Sequence, residues 1–250
     1  MTPSPSSLPL AQLSLRERER GFVLGGTGTG KTTLADLLGR DFLTRYQGKK
    51  ARRLILDTKP RYRAQWETSG VTAQRRYRHW GHGQVIADSV AVSNPSDLER
   101  AFGMATTVIV QGAGGRKPRP ELCAACVQVF HAGARSSRPQ LLQVDEVRDH
   151  YHSNGAPFGG FDAIGMAVTG GRELGESVLI CSQRTKGIPP SVMEELTKLY
   201  LFRLDFLRDA GRLQEMGAPI TLRPPRVPFV FKYWTKADYE KVWGPYKLDL

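Results

Sequence analysis

The sequence contains Gly25-Gly26-Thr27-Gly28-Thr29-Gly30-Lys31-Thr32-Thr33, and this stretch decides the fold. From its first glycine it matches the pattern G-x-x-x-x-G-K-[ST], in which a glycine-rich loop wraps the phosphates of a nucleotide. An apolar run, 22–24, precedes the loop, and leucines follow it at helical spacing. Strand, loop and helix in this order are what such a loop requires, so we expect the stretch to bind a nucleoside triphosphate.

Each residue type in this loop has a chemical reason. Glycines let backbone N–H groups turn inward around a phosphate chain, where a Cβ would block the approach. A helix that begins at Lys31 adds the positive end of its dipole. In this pattern the Lys31 ammonium reaches the β- and γ-phosphates, and the Thr32 hydroxyl binds Mg²⁺. The sequence therefore predicts ATP and Mg²⁺ as cofactors.

A second motif follows later in the chain, where the apolar run 141–144 ends in Asp145-Glu146. In a P-loop NTPase a carboxylate at this kind of strand end holds the Mg²⁺ shell, and Asp145 is the candidate. Glu146 is then placed to polarise the attacking water as a general base. Such a pair arises easily by chance, but it becomes specific beside a phosphate loop because both features must meet around one Mg²⁺.

Polar residues at two further strand ends are candidates for the same site. The apolar run before Gln183 indicates a buried strand, so Gln183 should lie beside the strand that carries Asp145. From there its amide can hydrogen-bond the γ-phosphate or the attacking water. Asp57 and Lys59 follow the buried run 54–56 in the same way, and an ordinary polar strand end explains them equally well.

The net charge of the chain is +12, from 36 Lys and Arg against 24 Asp and Glu. Such an excess favours a polyanionic partner, nucleic acid above all, although solubility alone also explains it. Residues 49–78 carry ten basic and two acidic side chains, and the glycine-rich loop 111–120 adds three more bases. The bases at 75–80 are interleaved with aromatic residues, which suits nucleic-acid binding as well as it suits a solvated surface with inward-packed aromatics.

The cysteines and the hydropathy pattern indicate a soluble, cytoplasmic protein. Three cysteines are too few for a disulfide framework, and no apolar run approaches the ~18 residues that span a membrane. Cys123 and Cys126 form a C-x-x-C on a predicted helix over 121–135. We interpret them as small core residues rather than zinc ligands, because a zinc site would need a second ligand pair with suitable spacing.

These pieces together resemble the FtsK–HerA superfamily of DNA-pumping ATPases. The resemblance rests on the loop 25–32, on Val-Asp-Glu at 144–146 and on the run 170–190, in which an arginine and a strand precede a Ser-Gln-Arg tip. It covers residues 20–205. The small size is most similar to that of the genome-packaging ATPases of internal-membrane double-stranded-DNA viruses.

The resemblance implies a RecA-like α/β fold, a P-loop NTPase with a mainly parallel central sheet and helices on both faces. It also implies roles for side chains outside the loop. Gln183 matches the family's polar sensor at the strand tip. Arg172 matches the arginine that reaches the ATP of a neighbouring subunit, with Arg184 or Arg135 as alternatives for that finger.

The function that the resemblance implies is an ATP-hydrolysing double-stranded-DNA translocase that packages a viral genome. Family members assemble homo-oligomeric rings, commonly hexamers, with DNA through the centre, so the loops 116–119 and 152–161 are the pore candidates. Capsid or vertex proteins would be further partners, and the host cytoplasm or the virion its location. The alternatives are a filamentous-phage-type assembly ATPase, a small P-loop kinase and a nucleotide-gated DNA-binding protein. The net charge argues against the kinase, and Glu146 against a protein without turnover.

The expected organisation has three parts. Residues 1–15 are rich in Ser and Pro, which predicts a flexible tail. Residues 16–218 should form the RecA-like ATPase domain. Residues 219–250 should form a C-terminal extension packed on or beside the core. Within the extension, the run 229–233 predicts a late strand, and 238–243 predicts a short terminal helix.

Overall fold

The computed structural model describes residues 10–59, 61–63, 66–67, 84–86, 88–113, 115–134, 137–205, 208–219, 222–238 and 241–248. Its strands are Arg20–Leu24 (β1), Arg52–Leu56 (β2), Tyr62–Arg63 (β3), Trp66–Glu67 (β4), Gln84–Val85 (β5), Ser89–Val92 (β6), Thr107–Val110 (β7), Gln140–Val144 (β8), Glu176–Ser182 (β9), Lys198–Phe202 (β10), Val230–Thr235 (β11) and Val242–Lys247 (β12). Its α-helices are Leu10–Leu13 (α1), Lys31–Arg45 (α2), Leu98–Met104 (α3), Pro120–Ala132 (α4), Ala163–Gly170 (α5), Pro190–Glu195 (α6) and Arg208–Gly211 (α7).

One large sheet runs through the molecule. Within the described residues its strand order is β12-β11-β10-β1-β9-β8-β2-β7-β6-β4, and β3 pairs with β5 in a separate small sheet. All neighbours from β10 to β4 are parallel, whereas β11 and β12 pair antiparallel at the end of the sheet. The sequence-based prediction of a mainly parallel central sheet is therefore confirmed.

Helices cover both faces of this sheet. Successive strand residues point to opposite faces, so each central strand contributes side chains to both helix layers. In β1, Phe22 and Leu24 pack into a cluster with α3, α4, α5 and α6, whereas Val23 joins a second cluster with α2. All three side chains are fully buried. A strand buried on both sides reads as a continuous apolar run, which is why the central strands are recognisable in the sequence.

Two sequence-based expectations for the ends of the chain are wrong. Residues 10–15 were assigned to the flexible tail, yet they include α1, and Leu13 and Leu15 are fully buried against the core. Where a helix was expected over 238–243, a short 3₁₀ turn ends at Asp238 and β12 begins at Val242. Aromatic packing favours the strand, since the rings of Trp243 and Tyr246 pack at a tilt against aromatic rings of β11, with centroids 5.3 and 5.6 Å apart.

The C-x-x-C cysteines and the histidine that follows them lie on α4. Cys123 and Cys126 are buried in the larger core cluster, and burial raises the pKa of the Cys126 thiol to about 12. His131 lies 2.7 Å from a carboxylate oxygen of Glu176 through its Nδ1 atom. The cysteines are therefore packing residues, and the histidine has an acidic partner.

A buried ion pair ties the helix after the phosphate loop to the sheet. Arg53 of β2 is fully buried and donates from both terminal nitrogens to Asp36 of α2, at 3.1 Å. Its guanidinium also donates to the Gln143 amide oxygen of β8 at 2.7 and 3.1 Å. Gly39 leaves room for this guanidinium, because a Cβ there would lie 2.4 Å from Arg53 Nε. The network fixes α2 over β2 and β8.

We expect Asp36→Ala to destabilise the protein by about 3–5 kcal/mol, because it leaves the Arg53 charge buried without its carboxylate. The free energy of unfolding in urea measures this effect. Asp41→Ala is the matched control on the same helix, where the ion pair with Arg45 is partly exposed. That control should cost no more than about 1 kcal/mol. Equal costs at the two positions would contradict a structural role for the buried pair.

Candidate nucleotide site

The topology brings the predicted motifs to one edge of the sheet. The glycine-rich loop connects β1 to α2, and Asp145-Glu146 follows β8. β9 pairs in parallel with both β1 and β8, so Gln183 leaves the sheet between the two motifs, as the sequence predicted. The carboxyl ends of parallel strands are where open α/β sheets bind their ligands.

The glycine-rich loop is held by backbone contacts on both sides. Gly25 N–H donates to the Ser182 carbonyl at 3.2 Å, and Gly26 N–H donates to the Arg203 carbonyl at 2.8 Å. Gly28 and Gly30 have φ angles of 70° and 100°, which residues with a Cβ atom rarely adopt. The loop therefore has a fixed path between β9 and the end of β10.

The Lys31 side chain, which is predicted to contact the phosphates, is buried within the glycine-rich loop. It is 5% exposed, and its ammonium donates to the Gly26 carbonyl at 2.6 Å. Thr29 Oγ1 donates to the same oxygen at 2.9 Å. Burial lowers the pKa of the Lys31 ammonium. A positive charge buried within this glycine-rich loop, at the start of a helix, is suited to an anion, because an anion would compensate the lost hydration.

We expect Gly25→Ala to destabilise the protein by about 1–3 kcal/mol through overpacking. An added Cβ would lie 2.5 Å from Phe202 Cβ, which belongs to β10 and cannot rotate away. Gly48→Ala is the control, because a Cβ at that position meets nothing within 4 Å. Urea unfolding of both variants measures the difference. A cost at Gly25 no larger than that at Gly48 would contradict the tight packing of the loop on β10.

Thr32 and Asp145 meet beside the loop, as the predicted metal site requires. Thr32 Oγ1 lies 3.3 Å from Asp145 Oδ1. Asp145 is 4% exposed, and among the described residues its Oδ2 atom has no hydrogen-bond partner. Burial is the main cause that raises the pKa of this carboxyl. A buried carboxylate oxygen without a partner, next to a hydroxyl, suits a hard cation such as Mg²⁺.

The described residues contain no group of three or more His, Cys, Asp or Glu side chains that could hold a metal ion. That finding agrees with the donor set found at the loop, which offers one carboxylate and one hydroxyl. Mg²⁺ commonly takes one or two protein oxygens and completes its shell with phosphate and water. Thr32 and Asp145 therefore fit the predicted cofactor.

Glu146 is held in a defined orientation by three groups. Ser182 Oγ donates to its Oε1 atom at 2.6 Å, and the Gln183 backbone N–H donates to the same oxygen at 3.2 Å. Lys59 Nζ lies 3.1 Å from the other oxygen, Oε2. The carboxylate is 4% exposed and lies next to Asp145 in sequence. The Gln183 side chain accepts a hydrogen bond from Thr27 Oγ1 at 3.3 Å, so it reaches the glycine-rich loop.

Two contacts at this site were not expected from the sequence. Ser182 binds Glu146, although only the following glutamine had been considered. Arg61 donates from Nη1 to Thr32 Oγ1 at 2.8 Å. Asp57, just after β2, accepts from the Arg61 backbone N–H and so positions this residue. A polar residue at a strand end is a signal that could have found Ser182, whereas no local pattern marks Arg61.

Arg172 lies far from this site in its own chain. It lies in the turn between α5 and β9, at the amino-terminal edge of the sheet, and Nη2 is 3.9 Å from a carboxylate oxygen of Glu195. β9 spans roughly 20 Å at about 3.3 Å per residue, so Arg172 and the loop are on opposite edges. Arg184, the first alternative for the finger, follows Gln183 at the nucleotide edge. Arg135, the second alternative, lies outside the described residues.

The two predicted pore loops leave the sheet at the nucleotide edge. Residues 116–119 follow β7, and residues 152–161 follow β8. Lys117 in the first loop forms an ion pair of 2.8 Å with Asp149, just ahead of the second. The His152 ring lies 3.9 Å from that of Phe158. The aromatic and basic run 75–80 lies outside the described residues.

Several solved structures have the same fold as this chain. The genome-packaging NTPase B204 from Sulfolobus turreted icosahedral virus 2, in complex with AMPPCP, matches with a TM-score of 0.58 and 14% identity, over 92% of this chain and 98% of that one. This chain has the fold of the B204 packaging NTPase. B204, the DNA-packaging ATPase from Sulfolobus turreted icosahedral virus, matches with a TM-score of 0.55 and 14% identity, over 92% and 99% of the two chains.

A second group of neighbours consists of larger ATPases. ATPases 2 and 3 of EccC from Thermomonospora curvata match with a TM-score of 0.53 and 12% identity, over 99% of this chain and 39% of theirs. Both groups share the α/β fold with a mainly parallel sheet that the sequence predicted. No protein-family model and no curated protein matches the sequence. In the described part of the chain, no helix has the length and apolar character needed to cross a membrane.

Proposed function

We propose that this protein hydrolyses ATP to move double-stranded DNA and that it serves as a viral genome-packaging motor. The observation that carries the proposal is the orientation of Glu146. Ser182 and the Gln183 backbone hold the carboxylate at the carboxyl end of β9, next to Asp145 in sequence. A nucleotide-binding protein without turnover would have no need for a second, separately oriented carboxylate at this edge.

Each residue at the nucleotide edge has a proposed part in hydrolysis. The loop 25–33 binds the phosphates through backbone N–H groups, and Lys31 supplies a positive charge to the β- and γ-phosphates. Glu146 accepts a proton from the attacking water, and Gln183 orients that water or the γ-phosphate. Thr32 and Asp145 would hold Mg²⁺, which when bound neutralises charge on the phosphates. Arg172 would come from a neighbouring subunit.

The proposed partner is double-stranded DNA, supported by two independent facts. The net charge of +12 favours a polyanion. B204, whose fold this chain shares over nearly its whole length, is titled a DNA-packaging ATPase. A homo-oligomeric ring, hexameric in the proposal, would surround the DNA with the loops 116–119 and 152–161. Capsid or vertex proteins would receive the DNA, in the host cytoplasm or at the virion.

The likeness to EccC favours one alternative substrate. The EccC structure is titled as a complex with a signal sequence peptide, and its cytoplasmic domain as a Type VII secretion ATPase. A protein-moving ATPase of the filamentous-phage assembly type would use the same nucleotide site. That alternative predicts no response to DNA.

The rate of ATP hydrolysis with and without double-stranded DNA tests the proposal. We expect double-stranded DNA to raise the rate several-fold, and raising the salt concentration to weaken the effect, because phosphate contacts release counterions. Polyglutamate of equal charge is the control for a general polyanion effect. A rate that is indifferent to DNA, in a preparation that hydrolyses ATP, would overturn the DNA motor and leave the assembly ATPase.

A further inference from the structure

The segment that joins β2 to β3 places two cations against the nucleotide site. Lys59 forms its ion pair with Glu146, and Arg61 donates to Thr32 Oγ1 at 2.8 Å. Thr32 in turn lies 3.3 Å from Asp145 Oδ1. The Arg61 guanidinium therefore lies against the hydroxyl that would bind the proposed metal ion, and its charge acts on the Asp145 carboxyl.

The backbone around Arg61 is anchored, so this contact does not depend on a loose side chain alone. The Arg61 and Tyr62 N–H groups donate to the buried Asp57 carboxylate at 3.0–3.2 Å. The Gln111 amide donates to that carboxylate and to the Tyr62 carbonyl at 2.9 and 3.0 Å. Tyr62 itself is fully buried, and its hydroxyl accepts from Gln143 Nε2 at 2.7 Å. This hydrogen-bond network therefore fixes the backbone from which the Arg61 side chain reaches the site.

We propose that Arg61 holds the Thr32 side chain in place through this hydrogen bond and gives the bond up when Mg²⁺ and nucleotide bind. The inference rests on the proposed nucleotide-binding function. A metal ion bound to the Thr32 hydroxyl would strongly repel a guanidinium that donates to the same oxygen. Binding of the metal ion therefore requires that Arg61 give up its hydrogen bond to Thr32.

The proposal makes Arg61 a positioning residue that sets the metal requirement. Without nucleotide, its charge acts on the buried Asp145 carboxylate, whose Oδ2 atom has no hydrogen-bond partner among the described residues. With nucleotide, the freed guanidinium leaves the site to the metal ion. A variant that lacks the charge should therefore bind the metal–nucleotide complex at lower Mg²⁺ concentration, and it should bind the nucleotide more weakly when Mg²⁺ is absent.

Equilibrium binding of a fluorescent ATP analogue, titrated with Mg²⁺, tests the proposal without a measurement of turnover. We expect Arg61→Gln to lower the Mg²⁺ concentration for half-maximal binding by about tenfold, the equivalent of one hydrogen bond to a charged group. In EDTA the same variant should bind the analogue more weakly than the wild type. Arg61→Ala, which removes the hydrogen-bond donors as well, should shift both values in the same directions.

Arg100→Gln is the matched control for the loss of one positive charge, because Arg100 is 64% exposed on α3. It should leave the Mg²⁺ requirement unchanged. An unchanged Mg²⁺ requirement in both Arg61 variants would overturn the proposal. A higher Mg²⁺ requirement would also overturn it, because it would show that Arg61 supports the bound state. A wild-type protein that does not bind the analogue at any Mg²⁺ concentration would overturn the proposed nucleotide function itself, and the two failures are thereby distinguished.

Discussion

Replacing Glu146 with glutamine should lower the rate of ATP turnover by about 10²–10⁴-fold, the usual contribution of a general base. Glutamine keeps the shape of the side chain and can still accept from Ser182, but it cannot take a proton from water. Nucleotide binding should be retained, because the hydrogen bonds of Glu146 go to Ser182, the Gln183 backbone and Lys59 rather than to the residues proposed to bind the phosphates. Steady-state ATPase kinetics and binding of a fluorescent ATP analogue measure the two quantities separately.

Glu121→Gln controls for the loss of one carboxylate, since Glu121 is exposed in the first turn of α4. Its turnover should equal that of the wild type. If Glu146→Gln retained more than about a tenth of the wild-type rate, Glu146 would not be the base. A variant that lost turnover and nucleotide binding together would show that Glu146 shapes the site without taking part in the chemistry.

Replacing Arg172 with alanine should lower turnover by about 10³-fold in the assembled protein, if it is the finger that reaches a neighbouring ATP. Because Arg172 lies at the sheet edge opposite its own nucleotide site, only another copy of the chain can bring it to the reaction. Nucleotide binding by the isolated chain should be unaffected. The ATPase rate as a function of protein concentration measures the loss.

Mixing two inactive variants separates a trans role from a local one. In a mixed ring, a subunit carrying Glu146→Gln still offers its Arg172 to a neighbour that carries Arg172→Ala and has an intact base. We therefore expect mixed samples to recover part of the wild-type rate, whereas neither variant does so alone. Failure to recover any rate would refute the trans assignment of Arg172, and the same experiment with Arg184→Ala would then test the alternative finger.

The parts of the site that were predicted from the sequence are those whose chemistry is carried by adjacent residues. The loop around Lys31 requires glycines at fixed spacing, and Asp145-Glu146 marks the end of a strand by itself. The position of Gln183 also followed from the sequence, because an apolar run fully buried on both faces can only be a central strand. The two-sided α/β fold then follows from the alternation of strands and helices.

The parts that were missed depend on packing between distant segments. Arg61 reaches Thr32 only because Asp57, Gln111 and Tyr62 set the path of the chain after β2, and no spacing rule encodes that path. A helix was expected over 238–243, yet β12 begins at Val242, where aromatic side chains pack against rings of β11. Leu13 and Leu15 are buried beside α2. Their burial was missed because the Ser- and Pro-rich composition of residues 1–15 predicted a flexible tail.

Displacement of a third strand from triplex DNA is the most direct test of translocation, because only a protein that moves along the duplex strips the strand in an ATP-dependent way. We expect the wild type to release the labelled strand with ATP and Mg²⁺. We expect Glu146→Gln, which should still bind nucleotide, to release none. ATP hydrolysis stimulated by DNA without any strand release would contradict translocation, and the protein would then be a DNA-dependent ATPase that does not move.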